Sequence, residues 1–175
     1  MLLLKDLAVK SFFNWNDLNE RDTYYARTLT TASQGRGIVI GKKHEIPTNC
    51  SLYTKKVLGE EYRVHVFKDK ILQIQKKRQM TDEELTERGL ILNPAIKNHD
   101  NGWLFIINGF EIPEGLKEIA IKAVKKLNLD FGAVDIIYNF YPKVLEVNTA
   151  PGLTKSRLTL YKDAIIEYYN NNKRT

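Results

Sequence analysis

The stretch from Asp130 to Gly152 constrains this chain more than any other. Two β-rich runs, Leu129 to Tyr138 and Lys143 to Asn148, are joined by a short turn ending in Pro142 and followed by Pro151-Gly152. On a strand successive side chains alternate between faces, so Glu146 and Asn148 share one face while Leu145 and Val147 take the other. A simple hairpin register sets Asp135 opposite Glu146, with Cβ atoms about 5 Å apart. Two facing carboxylates repel unless a cation joins them. With the Asn148 amide oxygen beside them, they make an oxygen-rich pocket of the kind Mg2+ takes together with phosphate oxygens. The other face, with Val134, Ile136, Leu145 and Val147, is apolar and is expected to anchor the hairpin in a core. Spacing alone leaves a second reading open, a half-exposed hairpin whose wet face carries ordinary polar residues. A one-residue slip would turn Asp135 to the core side.

The rest of the chain supplies partners for that hairpin. Glu61 to Phe67 and Lys70 to Arg78 are β-rich runs separated by Lys68-Asp69, which predicts another hairpin. Pro113 to Leu127 predicts a helix, because Leu116, Ile119, Ala120, Ala123, Val124 and Leu127 recur with helical spacing. Leu158 to Tyr169 predicts a second amphipathic helix. Thr31 to Gly41 reads as a glycine loop entering a short strand, Ser51 to Val57 as a strand or connector, and Asn14 to Asp22 as loop or edge. Strand pair, helix, strand pair, helix implies an α+β fold with helices packed on one face of a mainly antiparallel sheet.

Composition narrows the function. The single cysteine, Cys50, rules out an intramolecular disulfide framework and fits a reducing cytoplasm. His44, His65 and His99 lack paired metal-ligand spacing, so zinc is not expected. No apolar run approaches the roughly 18 residues of a membrane span, and the start has no signal-peptide pattern. A net charge of +6 would attract polyanions, but the basic residues are spread along the chain, which suits a solvated surface better than a nucleic-acid interface.

Asp130-Phe-Gly-Ala-Val-Asp135 followed by Val144-Leu-Glu146-Val-Asn148-Thr-Ala-Pro-Gly152-Leu-Thr154 resembles the metal-binding end of ATP-grasp ligases. That group includes D-alanine–D-alanine ligase and the RimK-type glutamate ligases. The resemblance is nearest to ATP-grasp proteins of tailed bacteriophages, through Tyr53-Thr54-Lys55, Glu61-Tyr-Arg63-Val-His65-Val and Asn98-His99-Asp100-Asn101-Gly102-Trp103. It runs in ordered blocks from about Tyr25 to Tyr168.

The resemblance implies a two-lobed fold with an ATP cleft between the lobes. Residues 1–54 would form a reduced central lobe with a glycine-rich loop, and residues 55–175 the C-terminal lobe with the metal site. It implies ATP and Mg2+ as cofactors, with Asp135, Glu146 and Asn148 as metal ligands. Ser33, Gln34, Gly35, Arg36 and Gly37 would form the mobile loop over the triphosphate, with Arg27 ahead of it as a phosphate contact. Tyr53, Thr54, Lys55 and Val57 would line the adenine hinge, Glu61 would accept ribose hydroxyls, and Lys77 would reach phosphate. Arg63 and Arg78 would be catalytic. Lys97, Asn98, Thr149 and Arg157 would meet substrate. For His65, a packed sheet residue is the expected role, and a solvated charge cluster remains open for Lys76 to Arg78.

The implied reaction joins a small-molecule or peptide carboxylate to an amine through an acyl phosphate in the cytoplasm, the host's if the protein is phage-encoded. Two features depart from the family pattern. Ala133 stands where D-alanine-type ligases carry an arginine, a role that Arg63, Arg78 or Arg157 would have to fill. Only about 25 residues precede Arg27, too few for the usual N-terminal lobe, which leaves two readings open: a homodimer, partner subunit or second polypeptide that completes the cleft, or a reduced ligase. An inactive or partner-dependent nucleotide-binding module and a basic nucleic-acid-binding protein are the alternatives.

Overall fold

The computed structural model describes residues 2–28 and 37–172. In chain order these form β1 (Ser11–Phe12), β2 (Thr23–Arg27), β3 (Ile38–Lys42), β4 (Leu52–Lys55), β5 (Glu60–Phe67), β6 (Lys70–Gln79), α1 (Asp82–Arg88), β7 (Trp103–Ile106), α2 (Leu116–Lys126), β8 (Phe131–Asn139), β9 (Tyr141–Asn148) and α3 (Lys155–Asn172). The strands make a four-stranded sheet, ordered β1-β4-β2-β3, and a five-stranded sheet, ordered β7-β6-β5-β8-β9. The chain is a two-lobed α+β fold built on antiparallel pairing.

One compact unit gathers Met1–Ala8, Gly59–Lys76 and Ile107–Thr175. Its core lies between α2 and one face of the sheet. Tyr62, Val64 and Val66 of β5, Val134 and Ile136 of β8, and Val144 of β9 meet Leu116, Ile119, Ala120, Ala123 and Val124 of α2. Each large side chain buried there contributes about 1.5–3 kcal/mol. The helical periodicity thus places the expected apolar stripe inward, and the lysines remain outside, where Lys125 pairs with Asp69 at 2.7 Å and Lys126 with Asp6. The helix starts at Leu116, the first residue of the stripe, rather than at the expected Pro113, because Gly115 takes a left-handed conformation at its N-cap, φ 74°.

Both expected hairpins form. Lys68, φ 53°, turns the β5–β6 hairpin, and Phe140, φ 60°, turns β8 into β9. The second turn is tighter than expected, pairing Asn139 with Tyr141 and Tyr138 with Pro142. A regular ladder from that turn would set Leu145 opposite Asp135. Instead the register shifts between Ile136 and Asp135, so Ile136 faces Val144 while Asp135 faces Glu146. Leu145 is the extra residue of a β-bulge. It is therefore Val144, fully buried, that anchors the hairpin in the core, whereas Leu145 stays half-buried. The expected core role of Leu145 is corrected by this bulge.

The second unit comprises Val9–Leu58 and Lys77–Ile106. Leu18, Tyr24, Ala26, Ile46, Cys50 and Tyr53 form its core, with Phe12 and Trp15 packed against it. Four elements here went unread in the sequence, β1, β2, α1 and β7. Helix α1 begins with a reciprocal cap, in which Thr81 accepts from the Glu84 N–H and the Glu84 carboxylate accepts from the Thr81 N–H. Gly89, φ 62°, ends it. Helix α3, in the first unit, extends beyond the expected Leu158–Tyr169 at both ends. No helix among the described residues is long and apolar enough to cross a membrane.

Candidate functional site

Opposite the α2 face, the strands of the first unit present polar side chains in lateral rows. Gln75 faces Arg63, Arg63 faces Asp135, and Asp135 faces Glu146, one row across β6, β5, β8 and β9. The adjacent row is Gln73, His65, Ala133 and Asn148. On the other side, Glu61, Ile137 and Lys143 make a third. The alternation of β5 puts Glu61, Arg63 and His65 on this face because Tyr62, Val64 and Val66 are drawn into the core. The bulge at Leu145 does the same for Glu146 and Asn148.

Arg63 neutralises the centre of the first row. Its Nε donates to Asp135 Oδ1 at 2.6 Å and its Nη2 to Oδ2 at 2.7 Å, a bidentate pair shielded in part from solvent. These hydrogen bonds raise the Arg63 pKa; burial opposes them, and the charges of Asp135 and Glu146 reinforce them. Asn148 Nδ2 donates to Glu146 Oε1 at 3.1 Å, which leaves its amide oxygen to offer elsewhere. Two carboxylates and an amide oxygen on one strand pair are hard donors suited to Mg2+, which usually keeps water or phosphate oxygens in its remaining positions. No group of three or more His, Cys, Asp or Glu side chains is gathered for a metal among the described residues. A cation here would therefore rest on two carboxylates, one amide and oxygens brought by its ligand.

In the second row, His65 is the packed sheet residue expected of it. It is 1 % exposed, and its Nδ1 lies 3.1 Å from the Tyr161 hydroxyl of α3, which also reaches the Gly132 carbonyl at 3.3 Å. Burial pushes the imidazole down to about 4, and the positive charges of Arg157 and Arg63 push the same way; Gln75 and Asp135 oppose them. Burial lifts the Tyr161 phenol to about 12 against the pull of Arg157. Arg157 stands one helical turn before Tyr161, and its Nε is screened from solvent without a hydrogen-bond partner. Ala133, between His65 and Asn148, is fully buried. Thr149 is exposed just past β9.

The remaining candidates lie in the second unit. Tyr53 and Thr54 sit in β4 between β1 and β2, and Tyr53 is sunk into the core with its hydroxyl donating to the Pro47 carbonyl at 2.8 Å. Lys55 pairs with Asp22 at 2.7 Å. Val57 is half-buried in the segment after β4. Arg78 makes a bidentate pair with Glu84 at 2.7 and 2.8 Å, holding the capping carboxylate of α1. Lys77 donates to the Lys97 carbonyl at 3.0 Å and lies over Phe105, while Lys97 lies over Trp103. The Asn98 side chain caps the short turn at His99–Asn101. Arg27 ends β2 with an exposed side chain, and Gly37, φ 70°, accepts from the Thr28 N–H at 2.8 Å. Ser33, Gln34, Gly35 and Arg36 lie outside the described residues.

The fold has counterparts among known proteins. Residues 106–169 match the profile of the RimK-like ATP-grasp domain. No curated protein matches the chain. Among solved structures, D-alanine–D-alanine ligase from Bacillus anthracis superposes with a TM-score of 0.63 at 19 % identity, covering 94 % of this chain and 60 % of that one. The ATP-grasp ligase PsnB, complexed with precursor peptide PsnA2 and AMPPNP, gives 0.60 at 15 % identity over 95 % of this chain and 56 % of that one. D-alanyl-alanine synthetase A from Vibrio cholerae O1 biovar eltor str. N16961 gives 0.60 at 12 % identity over 88 % and 55 %. The chain thus has the ATP-grasp fold and spans less than two thirds of the length of each of these proteins.

Proposed function

We propose that this chain is an ATP-dependent carboxylate–amine ligase that uses Mg-ATP to form an amide or peptide bond through an acyl phosphate. The observation that carries the proposal is the row that sets Asp135 directly opposite Glu146, with Asn148 on the same face. The shared fold and the RimK-like segment, which contains all three residues, support it. The precursor peptide held by PsnB favours a peptide among the candidate substrates.

When bound, Mg-ATP would supply the phosphoryl group and neutralise its developing charge. Asp135, Glu146 and Asn148 are the residues that would hold the ion. Arg63 brings a fixed positive charge to the same row, and Arg157 brings a second over the His65 row. His65 stays neutral near pH 7, its ring held by Tyr161, and so acts as a wall of the site. In this reading Ser33–Gly37 and Arg27 meet phosphate and Glu61 meets ribose. A second copy or a partner subunit completing the cleft belongs to the same proposal.

The test is thermal unfolding with and without saturating Mg-ATP. A ligand at about 100 times its dissociation constant adds roughly 2.7 kcal/mol. The wild type should gain several degrees and Glu146→Ala should lose that gain; an equal rise in both proteins would remove nucleotide from this row.

A further inference from the structure

We infer that Arg63 holds the place of the metal: its guanidinium covers Asp135 until a divalent cation arrives, and the cation displaces it. The inference rests on reading Asp135, Glu146 and Asn148 as metal ligands, and adds that the same carboxylate serves two cations in turn.

The geometry argues for exchange. Both Asp135 oxygens are engaged by Arg63, at 2.6 and 2.7 Å, and among the described residues no other side chain donates to this carboxylate. Mg2+ sits about 2.1 Å from its oxygens. An ion bridging Asp135 and Glu146 would therefore lie in the row that Arg63 already occupies, with a dication and a guanidinium on one carboxylate. A carboxylate has lone pairs enough for both partners, so the conflict is one of charge; it is strong at that separation in a partly buried site. Arg63 has a long, jointed side chain and the metal has none, so Arg63 is the partner that yields.

The contrast with the other bidentate pair sharpens the point. Glu84, held by Arg78, also accepts from the Thr81 N–H and so completes a helix cap. Asp135 caps nothing, and its row-mate on β9 is a second carboxylate. Arg63 thus faces one carboxylate, Asp135, and that carboxylate in turn faces a second, Glu146. Once displaced, the guanidinium remains on the face that carries Glu146 and the His65 row, able to meet an oxyanion of the substrate.

The experiment uses the whole chain without nucleotide and Mn2+ as the probe, its binding followed by paramagnetic resonance and calorimetry. Arg63→Gln should bind Mn2+ at least tenfold more tightly than wild type, with Arg63→Lys between them; equal or weaker binding by folded Arg63→Gln overturns the inference. Adding Asp135→Asn to Arg63→Gln should abolish the gain, and a gain that survives places the ion elsewhere and overturns it as well. Wild type offers a reading that needs no variant. The Arg63 Nε–H resonance should leave its hydrogen-bonded position as Mg2+ is added, and one that stays unmoved at saturation speaks against displacement. Should Mg-ATP protection vanish in Glu146→Ala while these two readings stay flat, the site stands and only the exchange falls. Should protection persist in Glu146→Ala, the metal-site reading itself fails and takes the exchange with it.

Discussion

Asp135 and Glu146 face each other because β9 carries one residue more than β8 between their paired positions. Ile136 pairs with Val144, and the next pair is Asp135 with Glu146, so Leu145 is looped out of the count. Without that bulge Glu146 would oppose Val134 and enter the apolar face.

The bulge predicts an inverted pair of alanine substitutions. Val144→Ala should cost about 2 kcal/mol, as expected for a side chain buried beneath α2. Leu145→Ala, although it removes the larger side chain, should cost less than about 1 kcal/mol because Leu145 is half-buried at the bulge. Urea unfolding of both variants measures the difference. A greater loss at Leu145 would restore the regular ladder.

His65 predicts a pH dependence with a definite sign. Its ring is pushed down to about 4 in the folded chain, against about 6.5 when unfolded. Between these values the unfolded chain binds the extra proton, so stability is full above about pH 6.5 and declines as pH falls towards 4. The total is roughly 3 kcal/mol from this side chain, at 1.36 kcal/mol per pH unit. Arg157 and Arg63 add to the depression, while Gln75 and Asp135 work against it. Urea titrations at pH 7.0, 5.5 and 4.5 should show the decline in wild type and a flatter profile in His65→Gln.

Tyr161 predicts a cost for a single oxygen. Its hydroxyl reaches both His65 Nδ1 and the Gly132 carbonyl in buried surroundings. Tyr161→Phe should destabilise the chain by about 1–3 kcal/mol, the penalty for leaving buried polar groups unpaired. Thermal unfolding reads it, and a neutral result would mean that water takes the hydroxyl's place.

The cap of α1 is testable by itself. Thr81→Ala removes the acceptor for the Glu84 N–H and should cost about 0.5–2 kcal/mol. Hydrogen exchange should localise the loss to residues 82–88. Uniform loosening across the chain would contradict a local role.

Much of this arrangement could be read in the sequence, and the failures have physical causes. Alternation in Glu61 to Phe67 exposed the polar face of β5, and the apolar spacing from Leu116 to Val124 exposed the buried stripe of α2. Asp135 opposite Glu146 was anticipated, but by a regular register that the structure does not use. Turn tightness and bulge compensate each other by one residue, and no single-strand pattern reports either. Choosing Leu145 over Val144 as the core residue follows from that blindness. Helix α1 had a legible signal in Thr81-Asp-Glu-Glu84, the spacing of a reciprocal helix cap. The commitment of Arg63 to Asp135 joins residues 72 positions apart, and nothing local to either one announces it.

The lobe that carries the metal-site candidates is assembled from three separate stretches of chain. Its middle stretch contributes β5, which fills one whole side of the β8 ladder. A gene fragment encoding only residues 107–175 would therefore yield β8 as a raw edge, inviting pairing between molecules, and would leave Asp135 without its guanidinium. The unit is a braid rather than a bead. Recombination could not pass it intact from one gene to another by moving a single block of sequence.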